Sequence, residues 1–349
     1  MSRSRLHLIR STMLKLFGLG LSVAEAAVEI ELLQAEETES SPQVFYLPDQ
    51  VAKARQGADG SGSLKEELQP ILSAKLVHAP VIRYTLHNCM VRDHGVDFVG
   101  GRISKVSRRR LRDRQPPVHQ IPQAIYCMTP VAHQYFGHWL RDSCATALLA
   151  RSEESVLMDA RPDWPHVSEY IGAFALQPHN EHPTFVQKLT VFLDFSQGSS
   201  KRARYDVMRT RAAAHFGPSG QPPQPVYLRR GQTGARRAIE NEDEVIRYLE
   251  GQGYKVIDVA GASARELYHQ LKGSPVVVTV EGSHINHLYM ALDKGCSLMV
   301  IMPADRFSST HFGIATALGI HFGFLVADRH QRGYHVKVED LARTLDLLP

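Results

Sequence analysis

What this chain lacks narrows its chemistry early. Its 349 residues include only four cysteines, Cys89, Cys127, Cys144 and Cys296, widely spaced and without a C-x-x-C pair. Such spacing indicates neither a disulfide framework nor a zinc knuckle, and suits reduced thiols in a reducing compartment. No run reaches the roughly 18 apolar residues of a membrane span. The formal net charge is +4, far from the block basicity of a nucleic-acid tail but suited to a protein that handles anions. Motifs are missing too: there is no phosphate-loop signature, no H-E-x-x-H, no G-x-S-x-G, and no G-x-G-x-x-G after a strand. No two aspartates stand two apart, so the D-x-D that commonly grips a divalent metal is absent, and no metal is expected.

What is present reads as an ordinary folded composition, 43% hydrophobic with 25 glycines and 19 prolines. The length exceeds one comfortable core, so two domains are expected. The chain is organised around residues 275–303. Residues 276–280 are a β-branched run of the doubly buried kind, and 297–302 repeat it. Between them Leu288, Ala291 and Leu292 form one face of a short helix that Ser283 can cap and Gly295 can end. Glu281-Gly282-Ser283-His284 then stands where a strand ends and a helix begins, the position at which open α/β sheets bind ligands. Free amides at a helix start suit a phosphate.

Residues 1–40 read as an appended helix that becomes acidic before Ser40-Ser41-Pro42. Arg3, Arg5 and Arg10 ahead of an apolar 16–23 allow a secretory leader, but the pattern suits a membrane-surface helix better, giving peripheral membrane contact. Residues 56–63 form a flexible loop. From Val81 two strand-like runs flank Asp93-His94-Gly95 as a hairpin. The basic run 105–114 reads as a solvated loop: no aromatics interleave it for base stacking, so no nucleic acid is expected. Strand-like 124–128 leads into Tyr135-Phe136-Gly137-His138-Trp139-Leu140-Arg141-Asp142 and a helix through Ala150. Buried strands follow at 155–158 and 189–195, with helical texture at 205–216. The proline- and glycine-rich 217–225 is the clearest break, dividing an α/β domain at 41–216 from one at 226–349. After it strands and helices alternate, with capping boxes at Asn241/Glu244 and Ser263/Glu266, which predicts a Rossmann-like parallel sheet.

The candidate chemistry is cationic. Arg229 and Arg230 close the first strand of the second domain, and Arg236 and Arg237 follow; guanidinium groups grip phosphate in a bidentate fork. Surface arginines on a loop are the plain alternative. His284 and His287, three apart on one helix, lack a third zinc ligand, so His284 is read as a hydrogen-bond donor to phosphate or ribose, with a structural histidine as the alternative. His138 and Asp142, four apart, can converge on one helix face as imidazole and carboxylate. H-x-x-x-D also occurs in acyltransferases, which carry a second histidine before the first and a glycine after the aspartate; Gly137 and Ser143 stand there instead.

The run Tyr135 to Asp142, then Tyr227-Leu228-Arg229-Arg230, Arg237-Ala238-Ile239-Glu240-Asn241-Glu242 and Glu281-Gly282-Ser283-His284, resembles glycosyltransferase family 61 in order and spacing. The resemblance implies two Rossmann-like domains in the GT-B arrangement and inverting, metal-independent transfer of a sugar from a nucleotide-diphosphate sugar to a hydroxyl of a glycan or lipid-linked glycan. It also implies a role in surface or capsular polysaccharide synthesis, with no cofactor beyond the nucleotide sugar and a cytoplasmic location. Motif order then assigns Asp142 as general base and His138 as its orienting partner. Arg229, Arg230, Arg237, Gly282, Ser283, His284 and His287 would hold the donor, with Glu242 and Glu281 on ribose or on the arginines. The chain departs from the family pattern at Ile285 and Asn286, where many members carry Gly or Ala. That departure motivates one alternative, an inactive nucleotide-sugar-binding scaffold; the H-x-x-x-D pair motivates another, an acyltransferase using His138.

Overall fold

The computed structural model describes residues 20–58, 63–93, 95–104, 117, 119–159, 161, 163–231 and 237–349. The basic stretch before residue 20, loop residues 59–62, His94 of the hairpin turn, the run 105–114 and Arg236 lie outside the described residues.

Two compact units emerge. One joins the chain up to Glu37 with His78–Ser196; the other joins Thr38–Val77 with Gln197–Pro349. This division differs from the expected break at 217–225. The helix Ser199–Phe216 belongs to the second unit, where the Arg209 guanidinium donates to the carbonyls of Tyr289 (2.7 Å) and Leu292. Thr38–Val77 joins it as well. Val44–Phe45 pairs in parallel with His321–Arg329, and the Glu67 carboxylate accepts the Ser309 amide (2.5 Å) and hydroxyl (2.9 Å). Prolines stiffen a segment locally, but long-range contacts decide which core it joins.

The first unit is a mixed sheet. Its strands run in the order Pro178–His179, Ser155–Leu157, His119–Tyr126, Thr184–Leu193, Val81–Arg92, Gly95–Phe98, Gly101–Ser104; the first four are mutually parallel and the rest antiparallel. The expected hairpin is present with Arg92 opposite Gly95. Such short connections can only join antiparallel neighbours, so this half departs from a Rossmann-like sheet. The helix expected over 1–40 is also corrected across its described part, residues 20–40. After a four-residue helix, Val23–Ala26, the acidic stretch forms the strands Glu29–Gln34 and Glu37–Ser40, the first paired with Val81–Arg92. Glu-Ile-Glu-Leu alternates with period two, and an available sheet partner outweighs the helix preference of glutamate.

The second unit carries the parallel sheet that the alternation predicts. The order is Lys255–Asp258, Val226–Arg229, Val276–Val280, Ser297–Pro303, His321–Arg329, all parallel, with a short antiparallel Tyr334–His335 at the edge. Tyr227, Val278, Val280, Met299, Ile301 and Leu325 are buried in its core. Val226–Arg229, the first of these five parallel strands in sequence, lies second in space, so its crossover leaves in one direction and that of Val276–Val280 in the other. The carboxyl ends of these two neighbours form the topological switch point, where a doubly wound sheet opens its ligand crevice.

Candidate active site

The residues that end those two strands meet at the switch point. A Cβ built on Gly282 would lie 2.9 Å from Arg230 Nε, 3.0 Å from His284 Nδ1 and 3.2 Å from Arg237 Nη1. Two guanidinium groups and an imidazole therefore crowd one glycine, and only a residue without a side chain leaves them room. Arg237 is buried; its Nη1 donates to the Glu281 carbonyl at 2.8 Å and pairs with Glu281 Oε2 at 2.5 Å. Arg306 Nε lies 4.0 Å from the same carboxylate oxygen, and His311 Nε2 lies 3.9 Å from the other. One acid thus sits among three guanidiniums. Burial pushes the Arg230 pKa down to about 10; Arg237 and Arg306 add to that, while Glu281 opposes it. A guanidinium this disfavoured is relieved by an arriving anion.

Arg229 and Glu242 form a second, more exposed pair, Nε to Oε2 at 3.1 Å, with the Tyr227 hydroxyl donating to Glu242 Oε1 at 2.9 Å. Glu242 and Glu281, expected on ribose or on the arginines, are each ion-paired with an arginine.

The helix start differs from expectation. Ser283–Ile285 is a 3₁₀ turn, and the α-helix that follows, Asn286–Ala291, has six residues and no Ser283 cap. Instead Asn286 Nδ2 donates to the Ser283 carbonyl at 2.9 Å. Asn241 likewise makes no cap: its amide bridges to the Val336 backbone, donating at 2.8 Å and accepting at 3.0 Å. Ser263 and Glu266 do form the expected capping box. The ring of His284 has no proton to offer a phosphate. The Thr279 hydroxyl lies 2.7 Å from the Leu228 carbonyl, which can only accept, so His284 Nε2, 2.8 Å from that hydroxyl, must be the donor to it. Burial, with Arg230, His311 and Arg237, drives the His284 pKa well below its usual value, so the ring is neutral and Nδ1 is a bare acceptor. His287 is buried in the short helix. Among the described residues no group of three or more His, Cys, Asp and Glu side chains has the geometry to hold a metal ion.

In the first unit the expected pair is in contact. His138 Nδ1 lies 2.8 Å from Asp142 Oδ2, across a π-helical turn, Trp139–Ser143, of the kind that recurs at functional sites. Arg141 intrudes on both: its Nε donates to Asp142 Oδ2 at 3.3 Å, and its Nη2 lies 2.9 Å from Nδ1 and 3.0 Å from Nε2 of His138.

Residues 136–299 match the family described as Glycosyltransferase 61. The matched segment belongs to glycosyltransferase family 61. No curated protein matches the chain. Among solved structures, a mutant flavo di-iron protein from Thermotoga maritima is similar at 8% identity and a TM-score of 0.28, covering 67% of this chain and 55% of that one. The flavodiiron protein of Giardia intestinalis is similar at 9% identity and a TM-score of 0.24, covering 47% and 42%. The chain thus spans about half the length of either structure.

The family 61 segment contains His138 and Asp142 in one unit and Arg229, Arg230, Arg237, Glu242 and Glu281 to His287 in the other. Arg306 and His311 lie beyond it and were not singled out from the sequence, although Arg306 lies three residues past the end of the strand Ser297–Pro303. The carboxyl-end rule, applied to every strand, would have found it.

Proposed function

We propose that this chain is an inverting glycosyltransferase that moves a sugar from a nucleotide-diphosphate sugar to a hydroxyl of a glycan acceptor, within the GT-B class and in surface polysaccharide synthesis. The observation that carries this reading is the convergence of Arg230, Arg237 and Gly282 at the switch point of the parallel sheet. Cleavage of the bond from the anomeric carbon to the diphosphate leaves negative charge on the diphosphate. Preorganised guanidiniums in a buried site stabilise that charge without reorganisation, the work a divalent ion does elsewhere. Arg237, locked by Glu281, is the fixed wall of this cradle, and Arg230 a group whose charge burial and two neighbouring guanidiniums disfavour. His284 Nδ1, as an acceptor, suits a ligand hydroxyl such as that of a ribose.

Acceptor handling falls to the first unit, where His138 and Asp142 are offered as the contact for the attacking hydroxyl. The acyl-transfer alternative needs a free ring nitrogen on His138, and Arg141 Nη2 already stands 3.0 Å from Nε2. Ile285 and Asn286 are both fully buried, so this departure from the family pattern changes packing beneath the loop rather than its ligand face, which favours an active enzyme over an inert scaffold.

Calorimetric titration with UDP and GDP, together with a nucleotide-sugar panel read as nucleoside diphosphate release, tests the reading. Binding that weakens at least tenfold in Arg230→Ala supports it; absence of binding by any nucleoside diphosphate rejects it.

A further inference from the structure

Three neighbouring parallel strands of the first unit end level with one another: Tyr126 pairs with Leu157, and Leu157 with His179. Each leads within a few residues to one member of a second titratable cluster. His133 stands on the helix Pro130–Gln134 that follows the first strand, Asp159 lies just past the second, and His182 just past the third. The Asp159 carboxylate binds both rings, Oδ2 to His133 Nδ1 at 3.0 Å and Oδ1 to His182 Nε2 at 3.1 Å. A carboxylate only accepts, so each of those nitrogens carries a proton. In the tautomer this geometry sets, the remaining nitrogens are His133 Nε2 and His182 Nδ1.

The two histidines differ in exposure. The His182 side chain is 8% exposed, and its Nδ1 is buried without a hydrogen-bond partner among the described residues. That of His133 is 24% exposed, and its Nε2 makes no hydrogen bond among the described residues. His182 thus anchors the carboxylate from inside, and His133 presents a lone pair outward. The backbone of His133 is also held. The Thr129 hydroxyl caps its helix at the Ala132 amide (3.1 Å), Pro130 stands in the first turn, and Arg161 Nη1 donates to the His133 carbonyl at 3.2 Å. Carboxylate to Nδ1–H with Nε2 open is the arrangement in which an imidazole takes and returns a proton, because the carboxylate fixes the tautomer and supports the imidazolium. His138, in contrast, has a guanidinium at its second nitrogen.

We infer that His133 is the proton acceptor for the attacking hydroxyl, with Asp159 as its positioning residue and His182 as the anchor of Asp159; the inference rests on the glycosyl-transfer reading. In the step it serves, a lone pair of the acceptor oxygen forms the bond to the anomeric carbon. The bond from that carbon to the diphosphate oxygen breaks with its electrons leaving on the diphosphate. The hydroxyl proton passes to His133 Nε2, giving an imidazolium paired with Asp159.

The test uses the full chain, a panel of UDP- and GDP-sugars with an oligosaccharide acceptor panel, and UDP binding by calorimetry as a control. His133→Gln, which keeps a donor toward Asp159, is expected to lower kcat by about 10²- to 10⁴-fold with the UDP affinity unchanged. Added imidazole should restore part of the rate in His133→Ala, a rescue that a purely structural histidine would not show. Asp159→Asn should reduce kcat and move the acid limb of its pH profile to lower pH, because the imidazolium loses its paired carboxylate, while KM stays near the parental value. Turnover by His133→Gln at the parental rate, or a loss of rate in Asp142→Asn alone, overturns the inference and leaves glycosyl transfer standing. A wild-type chain that binds UDP but releases diphosphate from no sugar donor overturns both.

Discussion

His284 Nε2 lies 2.8 Å from the Thr279 hydroxyl, whose single proton is directed at the Leu228 carbonyl 2.7 Å away. This one relationship fixes the tautomer of a buried imidazole at the mouth of the crevice. Thr279→Val removes the acceptor of the His284 N–H and leaves a buried donor unpaired. A loss of about 1–3 kcal/mol in urea unfolding is expected, with weaker nucleotide binding because the ring is free to turn.

The same histidine gives stability a pH dependence of defined sign. Its folded pKa is depressed, first by burial and then by Arg230, His311 and Arg237. The unfolded chain therefore binds the proton more readily, so the contribution of this ring is complete above the ordinary histidine pKa and is lost as pH falls below it. Below about pH 6.5 the slope from this one proton approaches about 1.4 kcal/mol per pH unit. Chemical denaturation between pH 7.5 and 5 should show it, and His284→Gln should shrink it; an unchanged slope in the variant would assign the effect to other groups.

Arg230 and Arg237 should separate stability from binding. Arg237 is buried against Glu281, and Arg237→Ala leaves that carboxylate buried among Arg306 and His311 at about 4 Å. A cost near the lower end of the 3–5 kcal/mol range for a broken buried pair, about 3 kcal/mol, is expected in a denaturant melt. Arg230→Ala instead relieves repulsion among like charges. Its melting temperature should fall less than that of Arg237→Ala, while UDP affinity falls by about 10- to 150-fold, the worth of one charged hydrogen bond at about 1.5–3 kcal/mol.

Gly282→Ala puts a methyl group where three nitrogens already stand within 3.2 Å. Overpacking of this kind costs about 1–3 kcal/mol. Binding should suffer more than folding, because the atoms that must give way belong to the anion cradle. Thermal melts with and without UDP would show a lost ligand-induced shift as the larger effect.

Much of the second unit was legible in the residues. The run Val276–Val280, the Ser263–Glu266 capping box and the alternation of strands and helices are local signals, set by burial on both faces, by an i, i+3 contact and by period. Arg229 and Arg230 were legible as residues at a strand's carboxyl end, whereas Arg237 reaches Gly282 from the loop beyond. Asn241 misled, since its Val336 partner is 95 residues away and no short-range pattern announces such a bridge. The acidic strand Glu29–Gln34 misled for the opposite reason. Its helix preference is intrinsic, while the edge of Val81–Arg92 that it joins is supplied by tertiary structure.

By itself, then, the chain's order of residues settled the strand and helix alternation of the second unit and which side chains carry charge, because each of these depends on neighbours a few positions apart. Only folding decided that Arg306 and His311 join Glu281, that Thr279 sets the proton of His284, and that Asp159 holds His133 and His182 from 26 and 23 residues away. Those outcomes depend on strand order. Parallel neighbours bring distant carboxyl ends level, and hydrogen-bond direction among the side chains gathered there is settled only when every acceptor has found its donor.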